Sequence, residues 1–181
     1  MKEEHAIVLD YLPNGYPFDT RQSHKKSPIA QALGKDHFVL LELIPKKGID
    51  LQVQEEVYIG EGKRLEIYYI FGRLKREKLT EGAKAQLQEF ISTIVVEREK
   101  QFIDFFNKAD AINKRIHQIE LLPGLGKKHM QEIIKQRQEK EFQSFEDLKN
   151  RVQNLPDPKK AIEKRILKEL TELERHNLFT G

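Results

Sequence analysis

Cysteine and tryptophan are both absent from the 181 residues. Without cysteine the chain can form no disulfide, thiolate zinc site or thiol nucleophile, which fits a reducing compartment. Long apolar runs are missing as well. No stretch approaches the roughly 20 apolar residues of a membrane span, and the run from Ala6 to Leu9 is too short for a signal peptide. The expectation is a cytoplasmic protein with no membrane partner. An excess of one charge is also lacking, since 32 Lys plus Arg face 29 Asp plus Glu for a net +3. That balance excludes a histone-like cation and an acidic solvating tail, and it confines any nucleic-acid contact to local patches.

Catalytic signatures are equally scarce. His5, His24, His37, His117, His129 and His176 show neither H-x-x-H nor HExxH spacing, and no GxSxG occurs. Gly60-Glu61-Gly62-Lys63-Arg64 lacks the length and following hydroxyl of a phosphate-binding loop and reads as a hairpin turn. Carboxylates are plentiful, as they are on any solvated helix face. No enzyme is supported by these residues.

What is present is 38% hydrophobic and 34% charged residues, enough for one two-part protein or two small cores. From His5 to about Lys78 the pattern is strand-like. Ala6–Leu9, His37–Ile44, Ile49–Val53, Glu56–Ile59 and Leu65–Phe71 are short β-rich runs. Five strands without a crossover helix predict a small barrel of the OB or SH3-like kind over residues 1–79. Gly15 to Lys35 then reads as one long basic connection, with Arg21, Lys25 and Lys26 as candidate nucleic-acid contacts. In a regular strand Tyr69 and Phe71 would share the core face with Leu65 and Ile67, so Tyr68 is the stacking candidate, with Arg73 beside it.

After Thr80, a suitable N-cap, the period becomes helical. Ala83, Leu87, Phe90, Ile91, Ile94, Val95, Phe102, Phe105 and Phe106 keep that spacing with no internal proline, predicting one long linking helix over 80–110. From residue 111 the pattern is of short helices, the first marked by Ile112, Ile116 and Ile119. Ser144 opens another, and Pro158 begins the last. Between the first two lies Leu122-Pro123-Gly124-Leu125-Gly126-Lys127-Lys128. Two glycines around one apolar residue permit a tight turn straight into a helix. The amides of Gly124, Gly126 and the first helical turn, with Lys127, Lys128 and His129 nearby, suit a backbone phosphate. The plainer alternative is a helix-to-helix turn with a glycine cap.

These residues resemble the helix-hairpin-helix module of DNA- and RNA-handling proteins, and Phe142-Gln143-Ser144-Phe145-Glu146-Asp147-Leu148 resembles the continuation of its tandem form. The departure is at His129-Met130, where the module has a small residue that lets its helices approach. Leu155-Pro156-Asp157-Pro158-Lys159-Lys160 reads as a second copy without glycines, with Asp157 set to repel a phosphate. The resemblance implies that a monovalent cation could sit on the carbonyls of Glu120, Leu122 and Leu125; no other cofactor is implied. Over nearly its full length the chain also resembles an archaeal family that joins an N-terminal OB-like barrel to C-terminal helix-hairpin-helix repeats, with Tyr58-Ile59-Gly60 and Ile70-Phe71-Gly72-Arg73 among the shared segments.

The expectation is therefore an α+β protein with a small N-terminal β-barrel, a long linking helix and a tandem helix-hairpin-helix at 111–181 whose second hairpin is degenerate. It would bind nucleic acid without catalysis, RNA preferred and DNA possible, holding backbone phosphate at the hairpin and using the barrel as a second contact. Two rivals remain: an accessory factor for branched or duplex DNA, and a protein-interaction scaffold. Oligomeric state is not legible. If the 15–35 segment is that second contact, neutralising Arg21, Lys25 and Lys26 together lowers affinity for a long structured RNA far more than for a short duplex that reaches only the hairpin. Equal losses on the two ligands, measured by fluorescence anisotropy, would reduce the segment to general charge.

Overall fold

The structure, a computed structural model, describes residues 2–20 and 26–181. Five strands, β1 (His5–Leu12), β2 (Ile29–Gly34), β3 (Leu40–Pro45), β4 (Glu56–Tyr58) and β5 (Ile67–Arg73), form a curled antiparallel half-barrel in the order β4-β1-β2-β3-β5. Five helices follow: α1 (Glu81–Glu97), α2 (Glu99–Lys108), α3 (Lys127–Glu139), α4 (Phe145–Arg151) and α5 (Pro158–Thr171). The chain divides into two compact units, one of residues 1–87 with 170–181 and one of residues 88–169. Among the described residues, no helix is long and apolar enough to cross a membrane.

In the first unit the inner face of the sheet carries Ala6, Val8, Ala30, Ala32, Leu41, Leu43, Val57 and Ile67, packed with Leu51 and Ile59. β2 falls inside the stretch that reads as a long loop. Its six residues, Ile-Ala-Gln-Ala-Leu-Gly, are buried throughout. A strand buried on both faces loses the polar alternation that marks strands, and this one has a single β-branched residue, Ile29, to replace that signal. The opposite error occurs at Ile49–Val53, which alternates but is no strand. Gln54 there has φ +71°, and the segment is tied to β1 by Gln54 N–H donating to Val8 O at 2.8 Å and Val8 N–H donating to Glu55 O at 2.9 Å.

The other face of β2 and β3 carries a buried polar pair in register, Gln31 and Glu42. The Gln31 amide donates to Lys78 O at 2.7 Å and to the Tyr16 hydroxyl at 3.2 Å, and its oxygen accepts from Thr80 N–H at 3.0 Å. Glu42 pairs with Lys78 at 3.1 Å, and Lys78 also lies over the Tyr16 ring. Burial pushes the Tyr16 phenol up to about 12, Gln31 acting against the rise and Glu42 adding to it. Thr80 caps α1, its Oγ1 accepting from Ala83 N–H at 3.0 Å and donating to Asp10. One side chain on a central strand thus fixes where the sheet ends and the first helix starts.

In the second unit the helix expected over 80–110 is interrupted at Arg98, whose φ of −107° and ψ of 34° end α1 and begin α2. No proline causes this. α2 is held instead at both ends by the segment before α4: Asn107 exchanges two hydrogen bonds with the Phe142 backbone at 2.8 and 2.9 Å, and Glu99 accepts from Phe145 N–H at 2.8 Å. That grip buries Phe102, Ile103 and Phe106. Ser144 caps α4 as expected, accepting from Asp147 N–H at 3.0 Å, while the Asp147 carboxylate accepts from Gln143 N–H. The helix expected around Ile112 and Ile116 is a short bridge between Ala111 and His117, and only Gln118–Leu121 form a 3-10 turn.

Gln31→Leu would leave the half-buried Thr80 N–H and Lys78 carbonyl without the partner they share. The expected loss is about 2–4 kcal/mol of unfolding free energy in urea titration; a loss below about 1 kcal/mol would contradict the role given to this amide.

Candidate functional site

The hairpin of the second unit runs from the 3-10 turn to α3. Leu125 N–H donates to Leu122 O at 3.1 Å, closing the turn, and the Leu125 side chain is buried. Gly124 takes φ +86°, a left-handed conformation that only glycine adopts without strain. Gly126 is different. It is the N-cap of α3 with φ −104° and ψ −173°, extended backbone open to any residue, and a Cβ built there meets nothing within 4 Å. Its glycine leaves the helix end bare and is not required by the fold.

His129 fills the place where a small residue was expected. Its Nδ1 accepts from Gly126 N–H at 3.3 Å, so the ring proton lies on Nε2, which donates to Asn154 O at 3.1 Å. Both ring nitrogens are engaged within the chain. His129, expected at the nucleic acid, instead clamps the first hairpin to the second, and it takes the Gly126 amide expected to face an anion. The N–H groups of Lys127, Lys128 and His129 precede the first intrahelical bond, from Met130 N–H to Gly126 O at 3.1 Å. Lys127 and Lys128 are exposed, and among the described residues neither forms an ion pair.

The second hairpin differs at the corresponding place. Asp157 accepts from Lys159 N–H at 3.0 Å and so caps α5 with an internal carboxylate. Asn154 supplies the left-handed residue there, with φ 56°. Around the 3-10 turn, Glu120 accepts from His117 N–H at 2.9 Å, and Leu122 O already accepts the turn hydrogen bond, leaving that carbonyl one lone pair for the cation implied above. Among the described residues no cluster of three His, Asp or Glu side chains is placed to hold a metal ion.

The remaining expected contacts lie in the first unit. Arg21 and Lys25 fall outside the described residues; Lys26 is half-buried beside Gly15. Tyr68 is 69% exposed, as expected, but Tyr69 at 42% and Phe71 at 60% are exposed too, contrary to the core assignment from alternation. The register explains why: Leu43 faces Ile70, Ile44 faces Tyr69 and Pro45 faces Ile67, with breaks on either side that leave Tyr68 and Phe71 unopposed. Each extra residue shifts the alternation by one, so Ile67 points inward while Tyr69 does not. Arg73 ends this strand and donates weakly to Gly181 O at 3.4 Å.

His117 makes the hairpin's support sensitive to pH. Burial holds its imidazole below the usual 6.5, nearby Arg137 adds to this, and Asp110 and Glu120 oppose it. The neutral ring is needed, because Nδ1 accepts from Ile119 N–H at 3.1 Å. With the folded value depressed, the unfolded chain binds the proton more readily, so this contribution is complete above 6.5 and declines as pH falls below it. His117→Asn retains a capping acceptor and removes the titration. Its thermal midpoint should fall less steeply than the parent's between about pH 7.5 and pH 5.5; parallel curves would assign the acid sensitivity elsewhere.

Three comparisons bear on identity. A protein of Methanocaldococcus jannaschii, described as uncharacterized, is 42% identical over 177 residues, covering 98% of this chain and 78% of that protein. A crystal structure from Archaeoglobus fulgidus superposes with a TM-score of 0.84 at 44% identity, covering 99% of this chain and all of that one. The family model for proteins of unknown function DUF655 matches residues 2–181. On that full-length match and those two archaeal relatives, the chain belongs to the DUF655 family.

Proposed function

We propose that the protein binds nucleic acid, RNA in preference to DNA, by seating a backbone phosphate at the start of α3. The observation that carries this reading is the contrast between the two hairpins. The start of α5 is closed by its own carboxylate at Asp157. Both helices lack an acid in the first turn and carry two lysines there, so the difference is the cap: at α3 it is Gly126, with open space beside it and no carboxylate. Helix amides, dipole and two ammonium groups suit a phosphate and carry no base-specific information.

Two finer assignments support the reading. A left-handed Gly124, an inward Leu125 and a helix entered at Gly126 are the parts of a helix-hairpin-helix, with the 3-10 turn as its shortened first helix. In the first unit β4 returns to pair with β1 while β5 pairs with β3. The run β4-β1-β2-β3 is a Greek-key order, which suits a partly open barrel and which a five-strand meander would not give.

The hairpin can be tested without unfolding it. A Cβ at position 126 meets nothing within 4 Å and needs no unusual backbone, so with Gly126→Val the fold should hold to within about 1 kcal/mol by denaturant titration. Affinity for a short duplex should fall roughly tenfold or more, as charge-assisted bonds to the helix amides are lost. Asp157→Asn keeps a capping side chain and should leave binding unchanged or slightly stronger. The parent's affinity should decline steeply with salt, with a log-log slope of about −0.9 per phosphate on duplex DNA. A flat salt response, or equal losses from the two hairpins, would reject the assignment. Crosslinking in the cell with sequencing of the bound strands decides between RNA and DNA.

A further inference from the structure

We propose that β5 is a stacking platform for the unpaired bases of a single-stranded nucleic acid, with Arg64 and Arg73 taking its phosphates. The inference rests on the nucleic-acid reading above and adds a site with a different ligand geometry. Tyr68, Tyr69 and Phe71 form a row along an edge strand, with ring centroids 5.3 Å apart for the first pair and 6.5 Å for the second. Three adjacent exposed rings on an unpaired sheet edge invite self-association, and proteins ordinarily remove such edges. Here two register breaks turn the rings outward, so the exposure is built into the strand.

Arg73 follows Phe71 by two residues along β5, and its charge suits a polyanion. On its inner side β5 sends Ile70 into a cavity of about 310 Å³ whose floor also includes Val39, Leu41 and Ile59, and whose rim carries Lys2, Arg64 and Arg73. Most of the rim acids are already committed. Glu3 accepts the amides of Asp36, His37 and Val39 at 2.7, 2.9 and 3.2 Å, and Glu61 pairs with Lys2. Arg64 uses Nε on Gly60 O at 2.9 Å, and among the described residues its two Nη groups have no protein partner. Arg64 and Arg73 therefore share this cavity with Glu4. Bases offer a π face to each ring whatever their identity, and stacking of this kind tolerates sequence.

The test uses the full chain and an oligouridylate ten-mer, which offers no duplex to the hairpin. Tyr68 and Tyr69 are two of the chain's five tyrosines and there is no tryptophan, so the quenching that is lost in their alanine variants reports the platform. Binding should quench it. Tyr68→Ala, Tyr69→Ala and Phe71→Ala should each weaken ten-mer binding by roughly fivefold to a hundredfold, with short-duplex affinity unchanged and Tyr68→Phe retaining the parent's value. Arg64→Gln and Arg73→Gln should make the salt dependence shallower. Ten-mer affinity unmoved by all three ring variants would overturn the proposal. So would a dimer, seen by sedimentation, that those variants dissolve without moving ten-mer affinity. Failure of the hairpin reading is separate, because it shows as duplex binding unaffected by Gly126→Val.

Discussion

One imidazole sets the direction of the first turn of α3. His129 reaches from that turn back to Gly126 N–H and across to Asn154 O, so the two hairpins are held to each other through a single ring. Gly124 supplies the left-handed backbone that lets the chain enter the helix there, and Pro156 of the second hairpin lies close to it. The degenerate hairpin therefore has a structural use: it supplies the carbonyl that anchors the intact one.

The arginines and lysines of the helical unit do different work. Arg137 donates to the carbonyls of Phe106 and Ala109 at 3.0 and 2.7 Å, closing the end of α2. Arg151 does the same for the end of α3 through Gln136 O and Lys140 O, and lies over the Phe142 ring. Arg165 reaches Leu121 O and pairs with buried Glu169 at 2.7 Å. These guanidiniums meet backbone carbonyls, several at the negative ends of helices, where cations stabilise. Lys127 and Lys128 sit at the positive end of α3, where two cations cost a few tenths of a kcal/mol each. A local rule broken without an internal compensation is expected where an external anion completes the arrangement.

The legible parts of the sequence were those whose chemistry is local. Gly124-Leu125-Gly126 and the Ser144 cap show themselves because a left-handed turn and an N-cap each require particular residues in order. β2 was hidden, since burial on both faces erases alternation and Gln31 looks like a loop residue until its three partners are known. Tyr69 and Phe71 were placed inside because a bulge is a property of two strands in register, and neither strand alone records it. The break at Arg98 has the same character: Glu99 and Asn107 meet the backbone of Phe145 and Phe142, partners far along the chain. At Gly126 the open space comes from empty surroundings and not from the backbone angle, which sequence alone does not record.

The central claim is that phosphate is bound at one hairpin and not at the other. Backbone amides report this directly, in a nitrogen-15 correlation spectrum of the full chain titrated with a short duplex at low salt. The account predicts the largest shifts at the amides of Gly124, Lys127, Lys128 and His129, with those of Asp157, Lys159 and Lys160 nearly still. Equal shifts at the two hairpins, or shifts confined to residues outside them, would contradict it.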